Sequence, residues 1–408
     1  MTRAVWLLLV CLPAYGQPPA QLLNDAAVRA AMDAAQRNEP ETLDLQVRLS
    51  EIPAPPFHEE ARGREVARVF TALGLRDVRT DSAGNVIGVR PGKSARPNLV
   101  FAAHLDTVFP EGTNVKVKRE GSLLKGPGIA DDSRGLAVML AVIRALNDAR
   151  VETPGTITFV ADVGEEGLGD LRGMKALFQE TLKGQVDKFI SIDGTGLGIT
   201  NGSVGSNRYK VTFKGPGGHS YADFGMANPI QAMGRAIAKI DALQVPSEPK
   251  TTFNVGRVGG GTSVNAIPFE AWMEVDMRSA DPMVLKDLDA RFNAAVRQAV
   301  ADENARWNNR SPVTASAELL GVRPAGQTPK DSLIVRTALE VSRALRIEDS
   351  LHDASTDANL PMSLNIPAIT IGGGGAGSGA HSLQESFDTT DSWRGTQRAL
   401  LLAIALSR

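Results

Sequence analysis

Short apolar runs alternate with longer amphipathic segments over the first half of the chain. Near-continuous apolar runs at 156–162 and 188–192 predict buried strands, and residues 135–146 predict an apolar helix. Strands that alternate with helices indicate a mainly parallel sheet covered on both faces. The pattern also predicts a helix over 25–48 that is interrupted at Pro40, a helix over 59–73, and strands over 86–89 and 98–103.

The pattern changes after residue 206, where strands and helices follow in the order β-α-β-β-α-β, which is typical of a ferredoxin-like module. The α/β pattern then resumes, with a helix over 333–345 and a strand over 368–371. We therefore predict an α/β fold in which a mainly parallel-sheet domain, 17–206 and 325–408, carries an inserted α+β domain at 207–324. One continuous α/β domain is the alternative. The predicted elements of the inserted domain are strands over 208–214, 251–258, 267–278 and 313–320, and helices over 228–243 and 284–304.

The first sixteen residues predict a signal peptide. Arg3 supplies a positive charge, an apolar stretch follows at 4–12, and small residues at 14–16 offer a cleavage site after Gly16. The apolar stretch is too short to span a bilayer, so we predict no stable membrane span. A buried first helix is the alternative. Export would remove Cys11, the single cysteine of the chain, and would leave a mature protein without disulfides.

The composition excludes a disordered chain, a coiled coil and a membrane bundle. Apolar residues make up 42% of the 408 residues and charged residues 22%, which are ordinary values for a globular protein. The 44 lysines and arginines stand against 46 acids, for a formal net charge of -2. Without a basic excess, we predict no nucleic-acid partner.

Histidines and acids collect just past the ends of the predicted strands. His104 and Asp106 follow one strand, and period two places them on the same side, where the carboxylate could orient the imidazole beside a metal. Each group also has an ordinary interpretation, as a strand end, a helix N-cap or a solvated loop charge. Together they meet at the sheet edge where α/β folds place their ligands. The remaining groups are the pairs Asp131-Asp132 and Glu165-Glu166, then Asp193 and His381.

Charge arithmetic favours two metal ions at this edge. Asp131, Glu166 and Asp193 bring three negative charges, and His104 and His381 are neutral ligands. Two divalent ions and one bridging hydroxide would balance those charges. Imidazole and carboxylate ligands without thiolate suit zinc, with manganese or cobalt as alternatives. Glu165, which is not needed as a ligand, is left to act as the general base.

These motifs, taken in order, resemble the M20 family of metallopeptidases, which includes dipeptidases, tripeptidase T, glutamate carboxypeptidase, aminoacylase and acetylornithine deacetylase. The resemblance implies that His104, Asp131 and Asp193 hold one metal ion, while Asp131, Glu166 and His381 hold the other. It also implies that Glu165 is the catalytic base, that Asp106 supports a ligand, and that the Asp131–Asp132 peptide bond is cis. The segments that carry the likeness are 104–106, 126–132, 162–167, 191–194, 215–220, 265–268 and 379–382.

The resemblance further implies that the inserted domain is a lid and dimerisation domain, so that a homodimer is expected. His219 would stabilise the oxyanion, often in the partner's active site, and Asn265 and Arg278 would bind substrate, Arg278 through a carboxylate. The alternatives are that His219 is an ordinary turn residue and that Arg278 forms an internal ion pair with Asp276 or Asp281.

Two departures from the family pattern affect the details. Ser133 stands where many relatives have lysine after the paired aspartates. Asp193 matches peptidases that act near a free amino terminus, whereas carboxypeptidases and deacylases more often have glutamate there. The remaining histidines, His58 and His352, match no ligand position, and we assign them surface or packing roles.

The sequence therefore predicts an exported di-metal amidohydrolase that acts on small peptides. A hydroxide held by the metal ions would attack the carbonyl, and Glu165 would transfer the proton to the leaving amine. One alternative is an N-acyl-amino-acid deacylase or a carboxypeptidase with the same site. The other alternative, from a different class, is a pseudo-enzyme that binds peptides without cleaving them.

Overall fold

The computed structural model describes residues 17–348 and 350–408. The predicted signal peptide, 1–16, therefore lies outside the described residues. Among the helices that are described, none combines the length and apolar character that a membrane span requires.

The strands and helices are numbered separately along the chain. The strands are β1 Arg76–Thr80, β2 Val86–Arg90, β3 Asn98–His104, β4 Lys118–Glu120, β5 Leu123–Lys125, β6 Thr156–Asp162, β7 Lys188–Ile192, β8 Ile199–Ser203, β9 Gly205–Lys214, β10 Gly218–His219, β11 Thr251–Gly260, β12 Ala266–Ile267, β13 Glu270–Ser279, β14 Thr314–Arg323, β15 Gly326–Gln327, β16 Leu351–Ala354, β17 Ala368–Ile371, β18 Ala376–Ser378 and β19 Ser386–Asp388. The helices are α1 Pro19–Leu22, α2 Ala26–Arg37, α3 Glu39–Ser50, α4 Glu60–Ala72, α5 Ser133–Asp148, α6 Arg172–Ala176, α7 Pro229–Asp241, α8 Pro282–Arg306, α9 Leu333–Ala344, α10 Asn359–Ser363 and α11 Trp393–Leu406.

A large sheet forms the centre of the first domain, in the order β1-β2-β6-β3-β7-β17-β8-β15, with β16 also paired to β8. The four central strands β6, β3, β7 and β17 are parallel to one another, as predicted. The strands β1, β2, β8 and β15 pair in antiparallel fashion at the two sides, which the sequence did not predict. Because the central strands run in parallel, their carboxyl ends all reach the same edge of the sheet.

Both faces of the central strands are covered, and this explains their near-continuous apolar sequences. Every residue of β3 is buried, and the rings of Phe101 and Phe159 lie 6.0 Å apart between neighbouring strands. Apolar residues of α2, α4, α5, α9 and α11 cover one face. Residues of α6 and α10 cover the other face, where Phe189 of β7 contacts Phe178. Strands buried on both faces are typical of a parallel sheet between helical layers.

The inserted domain, which we call the lid, has its own sheet and its own core. Its strands follow the order β11-β13-β9-β14, and all of its neighbouring strands are antiparallel. Helices α7 and α8 cover one face, where Phe292 and Met273 are fully buried. This is the predicted ferredoxin-like arrangement, and the separate sheet and core exclude one continuous α/β domain.

Two predicted elements differ from the structure at prolines. The helix predicted over 25–48 is two helices that separate at Asn38, and Pro40 lies in the first turn of the second, where no helical N–H is lost. The strand predicted over 267–278 divides at Pro268, because proline donates no bond to a sheet. The short β12 therefore pairs with β10 rather than with the lid sheet.

Candidate active site

Each predicted metal ligand follows a strand or precedes a helix at one edge of the central sheet. His104 ends β3, Asp193 follows β7, and Glu166 follows β6. Asp131 lies just before α5, and His381 lies in the loop between β18 and β19. We call these five residues the ligand cluster. The side-chain ligand atoms of His104, Asp131 and Asp193 lie within 4.8 Å of one another, as do those of Asp131, Glu166 and His381.

Asp131 lies between the two histidines of the ligand cluster. One of its carboxylate oxygens, Oδ1, is 3.1 Å from Nε2 of His104, and the other, Oδ2, is 3.1 Å from Nε2 of His381. The same His381 nitrogen is 2.9 Å from Oε1 of Glu166. Asp131 thus presents one carboxylate oxygen to each histidine, as a bridging ligand would.

The electrostatics of the cluster follow from its burial and its many acids. Burial raises the pKa of Asp193 to about 7, and neighbouring acids add to this effect. Burial alone lowers the pKa of the His104 imidazole, but its hydrogen bond to Asp131 and the surrounding carboxylates raise that pKa well above the usual range. Hydrogen bonds to Asp131 and Glu166 raise the pKa of His381 to about 10. The donor set therefore attracts positive charge.

Two divalent cations fit this donor set. It contains three carboxylates and two imidazoles without thiolate, a combination that zinc and other first-row metals accept. The close approach of the three carboxylates is expected where a cation balances them, because buried charges need partners. The ligand atoms of the cluster form two overlapping groups that share Asp131, and a third group brings Glu165 within reach of His104 and Glu166.

Asp106 contacts the site differently from the sequence prediction. Its carboxylate accepts hydrogen bonds from the backbone N–H groups of Gly164, Glu165 and Glu166, at 2.9, 3.1 and 2.8 Å. The backbone carbonyl of Asp106 lies 3.0 Å from Nδ1 of His104, whereas the nearer oxygen of its carboxylate is 3.7 Å from that nitrogen. Asp106 therefore holds the loop that carries Glu165 and Glu166, and its main chain orients the imidazole.

Two further carboxylates organise the loop of Asp131. Asp132 caps α5 by accepting from the N–H of Gly135 at 3.0 Å, and the Asp131–Asp132 peptide bond is cis, as the family resemblance implies. Glu385 accepts from the N–H groups of Ala130 and Asp131 at 2.8 and 3.0 Å. Sequence reasoning missed Glu385, because no local pattern marks an acid that is 254 residues from its partner.

Glu165 forms a buried ion pair that the sequence did not indicate. Nη1 of Arg323, at the end of lid strand β14, donates to Oε1 of Glu165 at 2.8 Å and to the Ser355 hydroxyl at 3.1 Å. The other terminal nitrogen of Arg323 donates to the backbone carbonyl of Glu165. Burial raises the pKa of Glu165 well above its usual range, and the Arg323 charge opposes that rise. The lid thus contacts the predicted base directly.

A cavity of about 500 Å³ opens beside the ligand cluster, between the central sheet and the lid. Asp131, Glu165, Glu166, Asp193 and His381 line one part of it. Three lid arginines line another part: Arg208, Arg278 and Arg323. His352 is exposed and also lines the cavity. His58 is exposed and is not among the lining residues.

The predicted lid residues are placed differently from one another. Arg278 lines the cavity and also donates from Nε to Asp276 at 2.7 Å, so the alternative internal ion pair is present. His219 and Asn265 are exposed and lie outside the cavity lining of their own chain. Nδ1 of His219 accepts from the N–H groups of Tyr221 and Ala222, at 3.2 and 3.3 Å, which assigns the ring proton to Nε2. The imidazole therefore presents a donor to solvent.

Known sequences place the chain in a family. The peptidase family M20/M25/M40 matches residues 100–405. The uncharacterised protein YqjE of Bacillus subtilis (strain 168) is 27% identical over 350 residues, which cover 82% of this chain and 90% of that protein. Carboxypeptidase G2 of Pseudomonas sp. (strain RS-16) is 29% identical over 232 residues, and the match covers 54% of each chain.

Solved structures share the fold. A tripeptidase from Staphylococcus aureus superimposes with a TM-score of 0.75 at 22% identity, over 91% of this chain and 98% of that one. The Bacillus subtilis YXEP protein, described as a dinuclear metal-binding peptidase, gives a TM-score of 0.69 at 18% identity, over 91% and 99%. The chain therefore belongs to peptidase family M20/M25/M40 and is an enzyme of the metallopeptidase class, which acts on amide bonds.

Proposed function

We propose that this enzyme hydrolyses small peptides with two divalent metal ions, most suitably zinc, bound by the ligand cluster. The observation that carries the proposal is the position of Asp131, whose two oxygens face His104 and His381 separately. Manganese and cobalt are the alternatives, since the same donors bind them. The description of the related YXEP protein as a dinuclear metal-binding peptidase supports two ions rather than one.

In this proposal, His104, Asp131 and Asp193 hold one ion, and Asp131, Glu166 and His381 hold the other. When bound, the ions supply Lewis acidity toward the amide carbonyl and make water more acidic. Glu165 takes the proton of the attacking water and passes it to the leaving amine. The Arg323 bond occupies Oε1 of Glu165, so the proton would travel by Oε2.

The substrate class follows from the size and charge of the cavity. A volume of about 500 Å³ suits a short peptide rather than a folded protein. The arginines on the lid side, and Arg278 above all, would bind a substrate carboxylate. The family resemblance at Asp193 favours cleavage near a free amino terminus, and the likeness to a tripeptidase supports a short peptide as substrate. The likeness to carboxypeptidase G2 favours the second candidate, a carboxypeptidase or N-acyl-amino-acid deacylase.

We also propose that the enzyme is a homodimer joined through the lid. His219, whose Nε2–H faces solvent, would reach the partner's cavity and donate to the oxyanion, and Asn265 would contact substrate there. Exposed apolar side chains lie near both residues in the chain and would be covered by a second copy: Tyr221, Phe224, Val264 and Phe269. Size measurement by light scattering tests this dimer.

Export is a separate proposal, supported by the charge, apolar stretch and small residues of 1–16. Expression of the full chain in a bacterium should yield a protein that begins after Gly16, recovered from the periplasm or the medium. Intact-mass measurement of that fraction checks the cleavage site. A full-length product confined to the cytoplasm would contradict export.

The central test compares two neighbouring glutamates. Glu165→Gln should retain both metal ions but lose activity roughly 10²–10⁴-fold, because the amide cannot accept a proton. Glu166→Gln should instead lose bound metal, since it removes a ligand. Elemental analysis and turnover of dipeptides, tripeptides and N-acyl amino acids check both outcomes, with the exposed Glu318→Gln as control.

Metal removal completes the test. Chelation should abolish turnover and lower the melting temperature, and zinc, cobalt or manganese should restore both. Full activity in a protein shown to be metal-free would contradict the proposal. Metal binding without turnover of any of the three substrate classes would favour the peptide-binding pseudo-enzyme.

A further inference from the structure

A row of hydrogen-bonding side chains crosses the sheet on the cavity side, away from the ligand cluster. Thr370 of β17 pairs in register with Thr200 of β8, and Thr200 pairs in register with His352 of β16. All three residues line the cavity. Thr200 and Thr370 are buried, whereas the imidazole of His352 is exposed to the cavity. Neighbouring strands therefore present polar groups where a buried sheet face would ordinarily present apolar ones.

Local contacts hold the His352 imidazole in place. Its Nε2 lies 2.8 Å from the Thr200 hydroxyl, within hydrogen-bonding distance. The ring also lies against Gly198, where an added Cβ would come within 2.7 Å of the imidazole Cε1. Any larger residue at 198 would push the ring away, so glycine leaves the space that the imidazole uses. The orientation of His352 is thus set from two sides.

The lid supplies positive charge to the same cavity. Arg208 lines it and donates from Nη1 to the backbone carbonyl of Gly167 at 2.7 Å, next to the ligand Glu166. Nε of Arg208 donates to Asp276 at 3.0 Å, and Arg278 donates to the same carboxylate. Two arginines therefore share one acid, so this side of the cavity keeps a net positive charge.

We propose that His352, positioned by Thr200, is a specificity-determining residue of a subsite for a substrate side chain that ends in hydrogen-bond acceptors, either a carboxylate or a carboxamide. This inference rests on the proposed peptidase function and names the side chain that the enzyme selects. Because Nε2 of the imidazole already faces Thr200, an aliphatic side chain would exclude water from Nδ1 and give it no hydrogen-bond partner. An acceptor would pair with the imidazole, and the arginines would favour a charged one.

The test uses two series of dipeptides, Ala-X and X-Ala, in which X is glutamate, glutamine or methionine. Methionine has a similar length but lacks the terminal acceptors. His352→Leu should lower kcat/KM roughly tenfold for glutamate and glutamine in the series whose X side chain occupies the subsite, the effect of one lost hydrogen bond. Methionine peptides should be cleaved as well as by the wild type or better. His58→Leu, an exposed histidine outside the cavity lining, is the matched control.

A second variant tests the positioning by Thr200. Thr200→Val keeps the shape of the side chain. It should change the ratio of kcat/KM for glutamine peptides to that for methionine peptides less than His352→Leu does, with an unchanged metal content and melting temperature. Equal ratios of glutamine to methionine in His352→Leu and the wild type would overturn the inference, as would a wild type that prefers methionine in both series.

Binding measurements separate this inference from the proposed function. Calorimetric titration of the same peptides into metal-loaded Glu165→Gln protein, with and without His352→Leu, reports the side-chain preference without cleavage. A preference for acceptors in binding, with no peptide cleaved by the wild type, would refute the peptidase and keep the subsite. Cleavage of every peptide, with no preference in binding or turnover, would keep the peptidase and refute the subsite.

Discussion

The ligand cluster and the lid loops that carry His219 and Asn265 differ in how far one chain assembles them. Within the cluster, ligand atoms from distant parts of the sequence form overlapping groups, and the atoms of each group lie within 4.8 Å of one another. On the lid, His219 and Asn265 stay exposed and outside the cavity of their own chain. The comparison shows that a sheet edge completes a site by itself, whereas a lid residue depends on the position of a whole domain or a second chain.

The physical reason lies in the two kinds of support. The loops of the cluster are held by buried carboxylates that accept backbone N–H groups, Asp106 for one loop and Glu385 for another. His219 is held by short local contacts: Asp223 accepts from its backbone N–H at 2.8 Å, and β10 pairs with the two-residue strand β12. The cluster therefore resists displacement, and the lid turn is free to meet a partner.

The largest expected effect tests whether His219 acts on a partner's cavity. His219→Ala should lower kcat roughly 10²–10³-fold, the cost of losing one oxyanion donor, with little change in metal content. An equimolar mixture of His219→Ala and Glu165→Gln subunits should regain about a quarter of wild-type activity after exchange, because about half of the dimers are then mixed and one of the two sites in each mixed dimer is complete. Turnover after subunit exchange measures the recovery.

Absence of recovery in dimers shown by mass spectrometry to be mixed would place His219 in the cavity of its own chain after lid movement. Unchanged kinetics in His219→Ala would return this residue to an ordinary turn. Either result would mean that His219 does not depend on a second chain, and this difference between the lid and the ligand cluster would disappear.

The next prediction tests the support of the ligand cluster. Asp106→Asn should weaken metal binding by roughly 10–100-fold, because an amide group cannot accept from three N–H donors as a carboxylate does. Metal competition with a chromophoric chelator measures the change. The exposed Asp33→Asn serves as control. Wild-type affinity in Asp106→Asn would show that the loop of Glu165 and Glu166 keeps its geometry without this support.

The same contrast explains what the sequence could predict. The order of strands and helices predicts both domains, because hydrophobic period and turn residues are local signals. His104, Glu166 and Asp193 follow the central strands β3, β6 and β7, so the parallel sheet brings them together. Asp131 and His381 join them from loops outside that sheet. Contacts across large sequence separations leave no such signal: Arg323 with Glu165, Glu385 with the Asp131 loop, and His352 with Thr200.

A smaller effect is expected at Arg278, which lines the cavity and pairs with Asp276. The Asp276 bond uses Nε, so a substrate carboxylate would meet the terminal nitrogens. Arg278→Lys should impair peptides with a free carboxyl end roughly tenfold more than their C-terminal amides, since lysine lacks the planar fork. Matched peptide acids and amides check this, with the exposed Arg257→Lys as control. Equal losses on both would leave only the internal ion pair.

The smallest expected effect concerns two acids beneath the ligand cluster, Asp162 and Asp357, both fully buried. In the described residues, no nitrogen or hydroxyl donor reaches either carboxyl group. Burial raises the pKa of Asp162 to about 8. Burial and the charge of Asp162 also raise the pKa of Asp357 well above its usual range. The charge of His104 and a hydrogen bond with Asp357 oppose the rise at Asp162 without cancelling it.

The sign of the pH dependence follows from that rise. Below about pH 4, the folded and unfolded states both hold the Asp162 proton; between about pH 4 and pH 8 only the folded state does, so stability falls as the pH rises. Asp162→Asn removes this titration and should flatten the decline of the melting temperature of metal-free protein over that range. Asp33→Asn should leave the slope unchanged. An unaltered slope in Asp162→Asn would mean that Asp162 is ionised in the folded state. The cations of the ligand cluster would then have one more negative charge nearby to balance.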